Sequence, residues 1–475
     1  MQTSALVELR DLIGPIGLIL AIAAIGVAAA IAVSARLGWR AAGPLALIIA
    51  APLVPNVDLA GPVSTDDVLP ILGLGLLVGF TTPRLALTSN RLLLVALLAV
   101  ALAIAARIVS TLANADQLPS VLGTLGVAVL RPGFLVAVAA ASAMLLPRDR
   151  RNQIVSAGLG ALGTFEAAFS LTAFLVPLPG LGIRPARMFE TLAGCDYRIT
   201  GTLGLSPNHI GAVFVLTLPF TLALAIAARG RTRWLWVAGA ILQVAAVYFT
   251  FTRASIALAL LAGLAFLLYQ RQFRLLVATA LGAGALVAAI AFTTCDAGAG
   301  QPLPGEPGAT ETPAPDGPDI VDRFTDPSDR LALWYTAAIM TLDHPATGVG
   351  IGRMVEVMRS EPERYVDTPY GRSVSSAHNT ILLAGAETGI VGAISMLVLN
   401  AVLALAALWL LVTGWRGPVV YSAAGVAIIA FLVQGMVNNL FTVPPTGTLL
   451  ALIVGVFATA RDPVSESSPE TTAGH

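Results

Sequence analysis

Apolar residues run along this chain in stretches of about twenty, separated by short connections that collect arginine, proline and glycine. A run of roughly twenty apolar residues is long enough to cross ~30 Å of hydrocarbon as a helix. The pattern predicts spans near 12–34, 41–56, 67–82, 91–110, 130–146, 153–176, 207–228, 233–251, 254–269, 273–293, 379–412, 418–437 and 444–460. The second and third are short and interrupted by proline, so twelve or thirteen spans are expected. The first run is longer than a signal-peptide core and no small-residue cleavage pattern follows it, so it too is expected to be a span, with no cleavable targeting segment. The fold class expected is therefore an all-α polytopic membrane protein.

Composition sharpens this. Of 475 residues 56% are hydrophobic and only 11% charged, where a soluble domain carries roughly a quarter charged residues, so a soluble globular protein is excluded. The 27 basic residues are all arginine and are balanced by 27 acids, so net charge says nothing about partners. The position of the arginines does. Connections holding Arg36/Arg40, Arg84/Arg91, Arg148/Arg150/Arg151, Arg229/Arg231/Arg233, Arg271/Arg274, Arg416 and Arg461 fall on one side of an alternating map. That side collects 14 arginines against four acids, Asp149, Asp462, Glu466 and Glu470, and short loops rich in Arg stay cytoplasmic.

The opposite, external side then holds a loop at 177–206 and a long segment at 294–377, with 13 acids and 6 arginines. The chain divides into ten spans over 1–293, the external segment 294–377, C-terminal spans over 378–460 and a disordered cytoplasmic tail at 461–475. Residues 295–328 are rich in Pro, Gly, Asp and Thr, a composition that does not support a core, and read as a disordered linker. Helical character is expected over 329–360. Leu331, Trp334, Tyr335, Ala338 and Leu342 recur at helical spacing, His344-Pro345 closes that helix, and the turn GVGIG precedes a second, polar helical stretch. Cys195 and Cys295 fit neither a metal cluster nor a disulfide framework, although both fall on expected external loops where one bridge is compatible with the map.

Several charged or titratable residues stand where the hydrophobic pattern does not call for them. Arg253 lies in FTRAS, a hairpin so short that its guanidinium must sit at the membrane surface. Arg198 precedes a span whose first residues, Asn208 and His209, are able to cap it, and His378-Asn379 stand at the mouth of another. Each is readable as an interfacial anchor or cap. Three such features on one face also describe a site, because arginine holds phosphate oxygens with planar paired donors and histidine exchanges protons near neutrality. Glu166 falls mid-span and needs a partner or a water-filled cavity, with Arg107 the expected partner. Glu387 is nine residues beyond His378, which on an unbroken helix places the two on opposite faces. Packing is thus its first expected role, unless Gly385 or Gly389 breaks the register. Asp66-Asp67 read as helix-capping acids, and no set of ligands at metal spacing is visible.

The segment DRLALWYTAAIMTLDHPATGVGIG, followed after a variable stretch by SAHNTILLAGAETGIVGAI, resembles the signature region of the O-antigen ligase and polymerase superfamily. The carrying residues are Arg330, Trp334, Pro345, Gly348, Gly350, His378, Asn379, Glu387 and Gly389. The pieces YRITGTLGLSPNHIG and FTRAS resemble the family's upstream Arg-Gly-Asn loop and arginine-bearing turn, with Thr252 where a serine is usual. The motifs cover 190–395; elsewhere only hydropathy agrees. The resemblance implies a GT-C-like helical membrane fold. It also implies transfer of a glycan from a polyprenyl-diphosphate carrier to an acceptor hydroxyl on the extracytoplasmic face of a bacterial inner membrane, without metal or other cofactor. Arg198 and Arg253 would hold the diphosphate, His378 would act as base, and Asn208, Asn379, Arg330 and Glu387 would support them. The implied partners are the lipid-linked donor, a glycan, lipid or protein acceptor, and membrane lipid, with no nucleic acid. Two other classes compete: a transporter of lipid-linked sugars, which should show internal repeats and broken midplane helices, and a cell-envelope scaffold, which would need no Arg/His set.

Overall fold

In a computed structural model of the protein, the described residues are 31–35, 40–50, 58–60, 63–80, 91–118, 120–146, 148–175, 186–192, 195–201, 207–294, 328–361, 363–365, 376–441 and 444–458. The chain is an all-α polytopic membrane protein. In order, its helices are α1 (Ala42–Ala50), α2 (Thr65–Phe80), α3 (Arg91–Ala113), α4 (Val121–Leu145), α5 (Arg148–Leu175), α6 (Pro207–Ala227), α7 (Gly230–Phe249), α8 (Arg253–Tyr269) and α9 (Phe273–Thr294). These are followed by α10 (Ser328–Asp343), α11 (Met354–Ser360), α12 (Thr380–Arg416), α13 (Val419–Gly435) and α14 (Pro444–Ile453), which continues as a π-helical turn over Val454–Ala458. Among the described residues seven helices are long and apolar enough to cross a membrane, and three shorter apolar ones accompany them.

Two features depart from the helical reading. Short antiparallel hairpins pair β1 (Asp58–Ala60) with β2 (Val63–Ser64), and β3 (Ala186–Leu192) with β4 (Cys195–Arg198). The second lies inside the expected loop 177–206. Helix α4 also begins nine residues before the expected span and runs through Pro132. In a membrane helix the carbonyl freed by proline is re-satisfied by neighbouring groups, so proline marks the end of a span less reliably than it ends a soluble helix. Most of the first expected span, the linker through residue 327, the tail at 461–475 and Cys295 lie outside the described residues.

Helix α6 is the axis of the bundle. It is apolar on all sides, and Ile210 through Ala223 are buried without interruption, as expected of a helix enclosed by others. Helices α5, α7, α8 and α13 pack around it. Polar side chains fasten α6 to α7: Thr217 donates to Gln243 Oε1 at 2.9 Å, and Gln243 Nε2 donates to Thr221 at 2.7 Å. Hydrogen bonds of this kind do in lipid what apolar burial does in water. On the periphery, α9 turns Val277, Leu281 and Phe292 outward, an apolar surface suited to acyl chains.

A second, smaller core lies outside the bundle. Leu333, Ala337 and Met340 of α10 bury against Val349, Met354, Met358 and Tyr365, and against Ala377, Leu383 and Ala386 at the start of α12. The described residues 328–361 and 363–365 therefore form a folded cap against the start of α12 at one end of the bundle. Its far end is pinned by Arg364, which donates from Nε to Asp343 Oδ2 at 2.6 Å, and by the Tyr365 hydroxyl, which donates to the same oxygen at 3.0 Å.

Candidate functional site

Helices α6, α8, α10 and α12 begin, and α7 and α13 end, at the end of the bundle that carries the cap. Arg198 stands at the exit of β4. Its Nε donates to the Thr250 carbonyl at 2.7 Å and its Nη2 to the Thr252 hydroxyl at 3.0 Å. That hydroxyl donates in turn to Asn208 Oδ1 at 3.1 Å, and the Ile199 amide donates to the Phe249 carbonyl at 2.9 Å. The Arg198 loop is thus stitched onto the corner between α7 and α8. Thr252, the departure from the family's usual serine, keeps the one atom this relay requires. Asn208 lies within the first turn of α6 rather than before it.

Arg253 opens α8 directly after that relay and is close enough to Arg330, at the start of α10, for their charges to repel. Arg330 Nη1 donates to the Val437 carbonyl at 3.3 Å, just past the end of α13. Next to it, Asn379 Nδ2 donates to the Met436 carbonyl at 3.0 Å, while Asn379 Oδ1 accepts the amides of Ile381 and Leu382 at 3.0 and 3.1 Å. Asn379 is the N-cap of α12, the local role its position implied.

His378 precedes this cap with φ +50°, a left-handed conformation that costs a non-glycine residue on the order of 1–3 kcal/mol and recurs at functional sites. Its side chain is half-buried. Burial first, then the charge of Arg330 and the neighbouring His209, hold it down to about 4, well below the usual imidazole range. At neutral pH the His378 imidazole is uncharged and lies near the Arg330 guanidinium.

Residues 238–397 match the family model described as O-antigen ligase. This stretch is similar to the O-antigen ligase family. It encloses Arg253, Arg330, His378, Asn379 and Glu387, and the chain around it is a multi-pass membrane protein. No curated protein matches the chain. Arg198 and Asn208 lie before the matched segment and are joined to it through Thr250 and Thr252.

Glu387 lies seven residues into α12, where the Gly-rich turn meets it. Helix α12 is broken at Gly389 (φ +77°, ψ −172°), which frees carbonyls of the preceding turn. The Gly-rich turn fills the break. Val349 and Gly350 donate their amides to the carbonyls of Ala386 and Glu387 at 2.8 and 3.2 Å, and Ile390 donates back to Pro345. The Glu387 carboxylate accepts the Gly352 amide at 2.9 Å, and Ser110 donates to its main-chain carbonyl at 2.6 Å. Gly348 (φ +65°) lies so close that a β-carbon there would fall 2.2 Å from the Glu387 carbonyl carbon. The expected partnership of Arg107 with Glu166 is corrected: Arg107 acts on Glu387 and Arg131. Glu166 is buried elsewhere, beside Gly201, and accepts from Ser170 at 3.4 Å. Spacing along the chain did not reveal which helices would be neighbours, and α3 packs on α12.

His209, expected only as a cap of its span, sits beside Asn208 with a buried Nδ1 that has no hydrogen-bond partner. One participant was not anticipated from sequence: the turn Gln434–Asn439 forms the floor under Arg330, Asn379 and Thr380. The run of Gln and Asn at the end of an apolar span was the available signal for it. Among the described residues no group of three or more His, Cys, Asp or Glu side chains converges to hold a metal ion.

Proposed function

We propose that the protein transfers a glycan from a polyprenyl-diphosphate carrier to an acceptor hydroxyl at the capped end of the bundle, with Arg198 and Arg253 on the diphosphate and His378 as base. The observation that carries this reading is a run of neighbours: the Arg330 charge acts on the His378 imidazole, Arg253 lies close enough to Arg330 for their charges to repel, and Arg198 is bonded to Thr252 directly before Arg253. A diphosphate leaving group gains negative charge as its bond to sugar breaks, and fixed guanidiniums stabilise that charge most when already in place.

The acceptor oxygen attacks the anomeric carbon, a carbon–oxygen bond forms there, and the bond from that carbon to the diphosphate oxygen breaks. The electron pair departs on the diphosphate, and the acceptor's proton passes to His378. A hydroxyl is a poor nucleophile until its proton is removed during attack, which a neutral imidazole can do. Thr252 and Asn208 hold Arg198 in place, Arg330 adds positive charge, Asn379 fixes the start of α12, and Glu387 fixes the cap. The prenyl tail stays in the extracytoplasmic leaflet of a bacterial inner membrane while the sugars extend beneath the cap.

The test is to supply purified protein in lipid nanodiscs with radiolabelled polyprenyl-diphosphate glycan and candidate acceptors: lipid A core, free glycan and a serine-containing protein. A new glycosidic bond with release of polyprenyl diphosphate is the expected result. Movement of label across a vesicle membrane without a new bond would favour a transporter of lipid-linked sugars.

A further inference from the structure

Buried polar side-chain atoms without a partner gather around this site. Among the described residues they include Trp334 Nε1, Gln434 Oε1 and both amide atoms of Asn438. Asn438 is only 2% exposed, and a buried unpaired donor or acceptor costs roughly 1–3 kcal/mol. Leaving two such atoms on one side chain is worth explaining. Asn438 lies in the turn after α13, and the bonds that Arg330, Asn379 and Thr380 make to that turn go to its main-chain carbonyls. Arg330 and Asn379 bind the carbonyls of Val437 and Met436, and the Thr380 hydroxyl donates to the carbonyls of Gly435 and Asn438 at 3.0 and 3.3 Å. The amide of Asn438 contributes nothing to this anchoring. It follows directly on Val437, whose carbonyl Arg330 binds, and its hydrogen-bonding capacity is unused.

The chemistry that satisfies such a group is a carbohydrate. A carboxamide offers two donors and an acceptor with two lone pairs, which matches adjacent sugar hydroxyls, and an indole N–H within the same region adds a donor. A charged side chain in its place would be repelled or neutralised by the guanidiniums nearby. We infer that Asn438 is a glycan-binding residue, which engages hydroxyls of the sugar adjoining the diphosphate once Arg330 exchanges the Val437 carbonyl for a diphosphate oxygen. The exchange is favourable because the bond it gives up is a long, 3.3 Å contact to a neutral carbonyl, whereas a guanidinium–phosphate contact is charge-assisted and paired. Release of Val437 loosens the turn and lets the closed-off amide reach the sugar. The inference rests on the proposed glycosyl transfer and adds the element that reads the sugar.

Its test compares binding of two probes to the full chain in nanodiscs: bare polyprenyl diphosphate, and polyprenyl-diphosphate glycan extracted from host membranes in which this chain has been deleted. Wild type should bind the glycosylated lipid at least tenfold tighter. Asn438→Ala should erase that preference while binding the bare lipid within twofold of wild type. Asn438→Asp, which keeps the shape but loses the donors, should lower the preference as well. A preference that survives in both variants, or is absent from wild type, would overturn the inference. Failure of wild type to bind either lipid would instead remove the transfer reading beneath it. Thermal unfolding of each variant in the same nanodiscs identifies a folding defect, and a variant that melts like wild type yet keeps the preference counts against Asn438.

Discussion

Gly352 donates its amide to the carboxylate of Glu387 across 35 positions of sequence, at 2.9 Å. The contact joins the Gly-rich turn of the cap to Glu387, two residues before the break in α12 at Gly389. The same turn also supplies amides to the carbonyls of Ala386 and Glu387, so three hydrogen bonds tie the cap to the helix that follows His378.

Glu387→Gln keeps an oxygen for the Gly352 amide and loses the charge beside Arg107, whereas Glu387→Ala loses both. Both variants leave Arg107 without its counter-charge and should be less abundant in the membrane. Per molecule, transfer should stay within about tenfold of wild type in the Gln variant and fall further in the Ala variant, because a buried amide left unpaired costs roughly 1–3 kcal/mol. Equal activity of the two, normalised to protein, would show that the turn is held without Glu387.

Thr252 tests the relay from Arg198 to Asn208. Thr252→Ser retains the hydroxyl and should be nearly silent. Thr252→Val removes it, leaves Arg198 Nη2 and Asn208 Oδ1 without that partner, and should reduce kcat/KM by roughly ten- to a hundredfold. Steady-state transfer kinetics of the pair check this.

Arg253→Lys should damage activity nearly as much as Arg253→Ala, by on the order of a hundredfold or more. An ammonium is a point charge and does not reproduce two planar donors on a diphosphate. Full activity of the Lys variant at normal membrane abundance would remove a clamping role from this residue.

The helices were legible in sequence because apolar runs in lipid have few alternatives to helix, and the expected spans from 91 onward coincide with helices to within a few residues at most of their ends. The cluster was legible in parts. Arg198, Arg253, Arg330 and His378 each stood out as charge or imidazole at the edge of an apolar run. What brings them together was not visible: the Thr252 relay, the floor at Gln434–Asn439 and the exchange of Arg107's partner depend on which helices are neighbours. Periodicity reports the face of a helix and says nothing of its neighbour. The hairpin β3–β4 escaped for a similar reason, since two short strands in a loop leave no strong alternation.

The arginine distribution predicts a cytoplasmic C-terminus. A reporter that works only in the external compartment, fused after His475, should be inactive, and one that works only in the cytoplasm should be active. The opposite pair of results would place the cap, and the site beneath it, on the cytoplasmic face.

The account depends most on His378 as the group that takes the acceptor's proton, and the pH dependence of transfer in wild type and His378→Gln tests it most directly. Protonation removes the base. With the imidazole held at about 4 by burial and by the charges of Arg330 and His209, kcat/KM of wild type should be flat from neutral pH down to about 5. It should then fall as pH passes through about 4, with activity restored on neutralisation. Bound diphosphate opposes the repulsion from Arg330, so the corresponding fall in kcat should lie at higher pH, since kcat reports the loaded enzyme. Glutamine can donate and accept but takes up no proton in this range. His378→Gln should therefore keep donor affinity, lose roughly 10²–10⁴ in rate and lose the acid limb altogether. Activity of His378→Gln within a few-fold of wild type, with the acid limb intact, would contradict the account.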